Sequence, residues 1–314
     1  MRYRPYQALG LFTVVLFALV GTGLLLPAWQ FLTTVALAKG MAVLGLMLLL
    51  RTGLVSFGQG LFYCLGGYAA GSLGQFWGIT DALVLLVFGV AVAVLVAAIL
   101  GLLMARYRDI FFAMLSLAFS MVLYGLLVKS QMLGSTDGFN LATPTLLGFS
   151  MGGDAGSFPL YVMACVLAWL AACGLYLYMD TPLGRLSHAI RDNEIRVEYM
   201  GASVYRAIYI KYIIAAALTG AGGVVAALAV GHIDPEMSYW VTSGEFVFVA
   251  ILAGTGSVLA PFLGSIIFEV ARSLATQYSP DTWQMILGVV MLVIILFLPG
   301  GLWSVFAHRR REPS

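Results

Sequence analysis

Three charged residues fall inside or at the edge of long apolar runs, Glu245, Glu269 and Arg272. A charge at membrane depth marks either an internal ion pair or a contact with a polar solute. Glu269 and Arg272 stand three residues apart, so on a helix they face the same way and are expected to pair with each other. Glu245 follows Ser243 and Gly244 at the outer start of an apolar run. It reads either as an exposed helix-start acid or as a partner for a solute amine. Chemistry beyond charge pairing finds no residues to carry it. His188, His232 and His308 are scattered, which leaves a ligand cluster or proton relay without support. Cys64, Cys165 and Cys173 lie in apolar runs with no CxxC pair, so neither a metal site nor a disulfide framework is indicated. A phosphate-binding loop needs Gly-Lys-Ser/Thr, whereas Lys39, Lys129 and Lys211 follow Ala38, Val128 and Ile210. Any ATP that drives this protein is bound by another chain. Without converging His, Cys or paired carboxylates, a membrane enzyme is disfavoured and no catalytic residue is assigned.

Two stretches carry a different kind of signal. The segment from Arg51 to Gly74, RTGLVSFGQGLFYCLGGYAAGSLG, has small residues at close intervals, with Gly67 and Gly71 as a GxxxG pair. Small residues let helix backbones approach closely, which is the packing reading. The alternative is a discontinuous helix lining a solute path, its freed backbone groups binding the termini of a zwitterionic solute. The second stretch, Asp180 to Arg206, opens with Thr181 and Pro182, a helix-start signal, and places Leu186, Ile190 and Val197 at helical spacing among charges. It reads as one or two short amphipathic helices joined near Gly201. A connector that only retained charge would not need the apolar face, so docking into a groove on a partner protein is the functional reading.

The elements that must position these residues are membrane helices. Hydrophobic residues make up 61% of the 314 and charged residues 10%, against about 45–50% and about 25% in soluble domains. Windows of about 19 residues give about ten spans, near residues 9–29, 31–50, 57–78, 82–104, 110–132, 159–179, 207–230, 244–259, 261–278 and 283–303. The first follows Arg2 and Arg4 but is too long for a typical signal peptide, and it is kept as a span. The third, with its glycines, and the eighth, ended early by Gly254 and Gly256, are expected to be interrupted or re-entrant. Placing the N-terminus inside puts Arg2, Arg4, Arg51, Arg106, Arg108, Arg185, Arg191, Arg196, Arg206, Lys211 and Arg309 to Arg311 on the cytoplasmic side. Asp81, Asp137, Asp154, Asp234, Glu236 and Asp281 fall on the other. The expected fold is therefore an all-α polytopic membrane protein, N-in and C-in, compatible with two inverted five-helix repeats. Residues 1–314 form one transmembrane domain, with a periplasmic loop at 134–158 and a cytoplasmic loop at 180–206. The net charge of +2 and dispersed basic residues disfavour nucleic acid as a partner.

Four ordered motifs carry a family resemblance: GLVSFGQGLFYCLGGYAAG at Gly53 to Gly71, STDGFN at Ser135 to Asn140, PLGRLSHAIRDNEIRVEYMG at Pro182 to Gly201, and GEFVFVAILAGTGSVLAPFLGS at Gly244 to Ser265. Together they resemble the permeases of branched-chain amino acid ATP-binding-cassette importers, most closely the longer permease subunit. The resemblance runs from about Lys39 to Trp303. It implies a second, homologous permease, two cytoplasmic ATPase subunits and a periplasmic solute-binding protein delivering leucine, isoleucine, valine or a relative across the bacterial inner membrane. It further implies that the 180–206 loop couples to the ATPases through Ala189, Arg191, Asp192, Glu194 and Gly201. The third segment and the GEF segment would approach the solute path, with Ser56, Gln59, Gly60, Tyr63, Gly66, Gly67, Glu245 and Phe246 along it. Tyr63 and Cys64 stand where the family pattern suggests Phe and a small residue, and the family also carries urea, short amides and carboxylic acids.

The implied mechanism is alternating access, in which ATP binding closes the ATPases and the paired permeases switch from inward-open to outward-open. An ATP-independent secondary transporter or channel is the competing class. Such a protein commonly holds an ion or proton site near the midplane, and here the midspan acid Glu269 comes with its own Arg. A non-transporting scaffold would use the same loop without a pathway.

Overall fold

The computed structural model describes residues 5–146, 149–150, 158–280, 282–297 and 301–303. Arg2, Arg4, Asp154, Asp281, His308 and Arg309 to Arg311, and with them much of the second half of the 134–158 loop, lie outside the described residues. The chain is an all-α polytopic membrane protein with helices α1 (Pro5–Leu25), α2 (Gln30–Leu50), α3 (Gln59–Trp77), α4 (Ala82–Met104), α5 (Asp109–Lys129), α6 (Phe158–Asp180), α7 (Pro182–Asp192), α8 (Glu194–Tyr199), α9 (Val204–Val230), α10 (Trp240–Ala253), α11 (Ala260–Tyr278) and α12 (Trp283–Phe297). Five helical stretches among the described residues are long and apolar enough to cross a membrane: Pro27–Leu50, Ala82–Met104, Asp109–Lys129, Phe158–Asp180 and Val204–Val230. Leu9–Leu25, Trp240–Ala253 and Trp283–Ile294 are apolar but shorter. Glycine and polar residues dilute α3 and α11, which is why they miss that measure although each has 19 residues.

Start and stop signals operate as local chemistry dictates. Asp81 caps α4 by accepting from the Leu83 and Val84 amides, and Thr181 caps α7 by accepting from Gly184, with Pro182 in the first turn. Gly254 ends α10 at φ +80, where an L side chain would be strained. In the loop after α6, however, the joint between the two short helices is Asn193 rather than Gly201. Asn193 is extended, at φ −164, and caps α8 by accepting from the Arg196 amide. Gly201, at φ +84, makes the later turn into α9.

The core is the crossing of α2 and α9. A Cβ on Gly45 would stand 2.6 Å from the Ala215 carbonyl oxygen, and one on Gly222 would stand 2.3 Å from that of Ala38. Small residues are what permit such close backbones. Around this crossing the packing has a two-fold pattern: α4 and α3 lie on α9 as α11 and α10 lie on α2, and α3 touches α4 as α10 touches α11. Outward, α4 and α5 present Val87, Leu95, Ile99, Phe111, Val122 and Leu126 as an exposed apolar surface, the face a bilayer would cover.

Among the described residues the arginines of the loops and short helices gather at one end, with Lys129 at the other. At one end Arg51 donates to the Thr255 carbonyl at 2.5 Å and contacts the Met179 sulfur, and Arg108 grips Glu194 with Nε 2.7 and 2.8 Å from its two carboxylate oxygens. Burial pushes the Arg51 guanidinium below its ordinary pKa. At the other end two-residue strands pair: β1 (Phe139–Asn140) runs antiparallel to β4 (His232–Ile233), and β2 (Thr145–Leu146) to β3 (Phe149–Ser150). Gly138 makes this possible, since a Cβ there would stand 1.8 Å from the Ile233 carbonyl oxygen. Asp81 and Asp234 belong to this end.

Candidate functional site

Two helices begin inside the bundle instead of at its ends. Residues 51–58 leave the basic end of α2 without helix, and Ser116, the eighth residue of α5, accepts from the Phe57 amide at 3.0 Å. Helix α3 starts there and runs unbroken to Trp77, so its glycines do not interrupt it; the interruption precedes it. From the acidic end, β4 leads into a 3-10 turn, Pro235–Ser238, that descends beside α5. The Ser120 hydroxyl donates to the Ser238 carbonyl at 2.7 Å about halfway along α5. Helix α10 then starts at Trp240 and runs toward the basic end. The two starts meet where the Gly60 amide donates to the Ser243 hydroxyl at 3.0 Å. A polar residue at every one of these positions answers the backbone groups that a buried helix start leaves unpaired.

Six of the eight predicted pathway residues converge here. Ser56 and Gln59 are completely buried; Gln59 accepts from the Thr219 hydroxyl at 2.7 Å, and its amide nitrogen meets no acceptor among the described residues. Gly60 meets Ser243 as above, and the rings of Tyr63 and Phe246 stack edge to face at 5.2 Å. Glu245, beside Phe246, turns toward α2 and α11. Gly66 and Gly67 instead face α9. The tight approach belongs to Gly66, where a Cβ would stand 2.2 Å from the Gly220 carbonyl oxygen. The anticipated Gly67–Gly71 pair is not the closest contact: Gly67 meets Ala227 at an ordinary 3.4 Å, and Gly71 meets the side chains of Ile233 and Phe139.

The charges are arranged differently from the local expectation. Lys39, the tenth of 21 residues in α2, holds the Glu269 carboxylate at 2.6 Å and reaches Glu245 at 3.4 Å. Arg272 is 3.5 Å from Glu245 but only at 4.0 Å from Glu269, so the expected Glu269–Arg272 pair is the weakest contact of four. Glu245 is not an outer helix-start acid either; it is the sixth residue of a helix that begins in the interior. Lys39 was readable as an ionisable residue in an apolar twenty-residue run, a signal in its own right, but its carboxylate partners lie more than two hundred residues away. Lys211 also changes place: it lies in α9, fully buried, with its ammonium meeting no hydrogen-bond partner among the described residues.

The residues expected to couple to an ATPase sit together on the basic end. Ala189, Arg191 and Asp192 are on α7, Glu194 opens α8, and Gly201 follows it. Glu194 is engaged by Arg108, whereas Arg191 and Asp192 are exposed. Sequence reasoning missed the apolar residues beside them: Ile195, Tyr199 and Met200 are 66%, 88% and 67% exposed. Of the three histidines, His232 bonds Asn140 at 2.8 Å and His188 is exposed. Among the described residues no group of His, Cys, Asp or Glu is arranged to hold a metal.

Known proteins give this geometry a lineage. The family described as the branched-chain amino acid transport system permease component matches residues 29–296. The high-affinity branched-chain amino acid transport system permease protein LivM of Escherichia coli K12 is 27% identical over 273 residues, covering 80% of this chain and 64% of LivM. LivH of Salmonella typhimurium is 24% identical over 268 residues, covering 80% of this chain and 85% of LivH, so LivM is the longer kind and the resemblance to it holds. A probable LivH of Methanocaldococcus jannaschii is 28% identical over 282 residues, 82% of this chain and 85% of that protein. The chain spans less than two thirds of the length of the Escherichia coli and Salmonella typhimurium LivM proteins it matches. No solved structure matches it. With a match running from the start of α2 to the end of α12, this chain belongs to the branched-chain amino acid transport system permease family.

Proposed function

We propose that this chain is a permease subunit of an ATP-binding-cassette importer, moving branched-chain amino acids across the bacterial inner membrane by alternating access. The supporting observation is the meeting of α3 and α10 inside the bundle: each is third of five long helices, and they run to opposite ends. Such paired interrupted helices from inverted repeats are where transporters of many kinds bind solute. Ten spans with both termini cytoplasmic follow from this reading, with Arg51, Arg108 and α7–α8 inside and β1–β4 outside. The site is closed, with Tyr63 and Phe246 both buried, as one gate of an alternating-access path must be in each state.

The partners are a homologous second permease, two ATPases carrying the ATP, and a periplasmic binding protein. Similarity to both LivM and LivH supports a pair of permeases. The decisive experiment is leucine uptake into vesicles holding this chain with those subunits. Uptake that needs both ATP and the binding protein supports the importer; uptake by this chain alone, insensitive to ATP, replaces it with a secondary transporter or channel. Transport of urea in place of leucine would move it to another solute class.

The coupling loop carries a separate prediction. The Ile195, Tyr199 and Met200 side chains form an apolar knob on a charged, water-facing helix, suited to a groove on an ATPase. Ile195→Asp with Tyr199→Asp is expected to abolish co-purification of the ATPases while the chain still inserts at its normal level. Arg191→Ala weakens attachment less. Glu194→Ala acts by releasing Arg108 and so loosening the loop. Unchanged co-purification of the double variant would refute the docking surface.

A further inference from the structure

The four charges between α2, α10 and α11 are unevenly held. Lys39 and Glu269 form a close pair at 2.6 Å with side chains 12% and 11% exposed. Glu245 and Arg272 touch each other and the close pair only at 3.4 to 4.0 Å, and Arg272 is 35% exposed although it lies well within α11. We infer that Glu245 and Arg272 are the specificity-determining pair of the transport path, Arg272 taking the carboxylate of a zwitterionic solute and Glu245 its ammonium group. This rests on the importer reading above and names the residues that would recognise its solute.

Charge balance carries the argument. Lys39 and Arg272 against Glu245 and Glu269 sum to zero, and a zwitterion added between Arg272 and Glu245 keeps that sum. A carboxylate or an amine alone would leave a net charge at membrane depth, which is strongly disfavoured. Arginine's planar donor fork matches a carboxylate bidentately, and here it is held from below by the Trp283 ring, 5.0 Å from the guanidinium carbon. Lys39, by contrast, is committed to Glu269 and stacked near Phe268, so it neutralises without being available. Glu245 adjoins Phe246, whose ring meets Tyr63, which puts aromatic surface next to the charged pair for an apolar side chain. The corresponding crossing on the other side of the bundle, Thr219 to Gln59, is uncharged, so the charged pair is a feature of one side.

The test uses the whole transporter in vesicles, wild type and with Arg272→Gln, Arg272→Lys or Glu245→Gln, measuring leucine uptake and ATP turnover stimulated by leucine-loaded binding protein. Loss of a charge-assisted contact of this kind is expected to slow uptake roughly tenfold to a hundredfold. ATP turnover should stay near wild type, with Arg272→Lys falling between. Uptake and ATP turnover falling in parallel would make the pair structural and overturn the inference, as would unchanged uptake. Should the single variants fail to assemble, the double change Glu245→Gln with Arg272→Gln removes one charge of each sign and leaves Lys39 paired with Glu269. It is expected to assemble and hydrolyse ATP but to carry leucine at least roughly tenfold more slowly, since neither end of the solute finds its charged partner. Leucine transport at the wild-type rate by the double variant would overturn the inference. The wild-type arm, run with leucine and with urea, tests the importer reading independently of every variant.

Discussion

Gly66→Ala is expected to destabilise the protein by about 1–3 kcal/mol, the usual range for overpacking, and Gly67→Ala, one residue on, to change stability by less than about 1 kcal/mol. The two positions look alike in sequence. They differ in what a Cβ would meet: at Gly66 the Gly220 carbonyl oxygen at 2.2 Å, at Gly67 the Ala227 methyl at 3.4 Å. The first is backbone at the centre of the α3–α9 packing and cannot move without separating the helices; the second is an ordinary van der Waals contact. Gly66→Leu should go further and prevent the protein from assembling, since no rotamer avoids α9. Gly223 is the reciprocal case, with a Cβ 1.9 Å from the Tyr63 carbonyl oxygen. Thermal unfolding in detergent, read by the fraction remaining monodisperse, checks the three variants. Equal losses at Gly66 and Gly67 would mean that α3 is rotated from the orientation described.

Lys39→Ala carries the second large effect. It leaves Glu269, 11% exposed, with only the distant Arg272 at 4.0 Å, an arginine that Glu245 shares at 3.5 Å. Removing one partner of a buried ion pair costs about 3–5 kcal/mol, because the remaining charge keeps its desolvation penalty without its attraction. Glu269→Gln should cost less, since Lys39 still reaches Glu245 at 3.4 Å. Replacing both, Lys39→Met with Glu269→Met, removes the penalty together with the attraction and is expected to recover most of the loss. A double-mutant cycle should give a coupling of at least about 1.5 kcal/mol. Additive losses would show that Lys39 and Glu269 do not pair.

Helices and their ends were legible in the residues because those choices are local. An apolar run of bilayer length must satisfy its own backbone and becomes a helix; Thr181 with Pro182 starts one, the Thr181 hydroxyl accepting from the Gly184 amide, and Gly254 stops one through its φ. All ten predicted spans have a helix at their place, and the break expected near the third lies just before α3, where Ser116 from α5 receives a backbone amide. Ser56, Gln59, Gly60, Tyr63, Glu245 and Phe246 lie where the starts of α3 and α10 meet.

Partner choice was decided only by the tertiary structure. Helical spacing puts Arg272 beside Glu269, and it is there, at 4.0 Å, yet Lys39 from α2 takes the carboxylate at 2.6 Å. The charge pattern sets Lys211 among the cytoplasmic-side cations although the predicted span 207–230 already holds it, and packing in α9 buries it fully. Which of two adjacent glycines meets a neighbouring backbone depends on the rotation of α3 against α9, and no residue of α3 specifies that alone. Local geometry follows from short-range sterics and from hydrogen bonds between near neighbours, so it can be read in sequence order. Charge pairing and helix contact depend on distances through space, and those are set by packing all the helices at once.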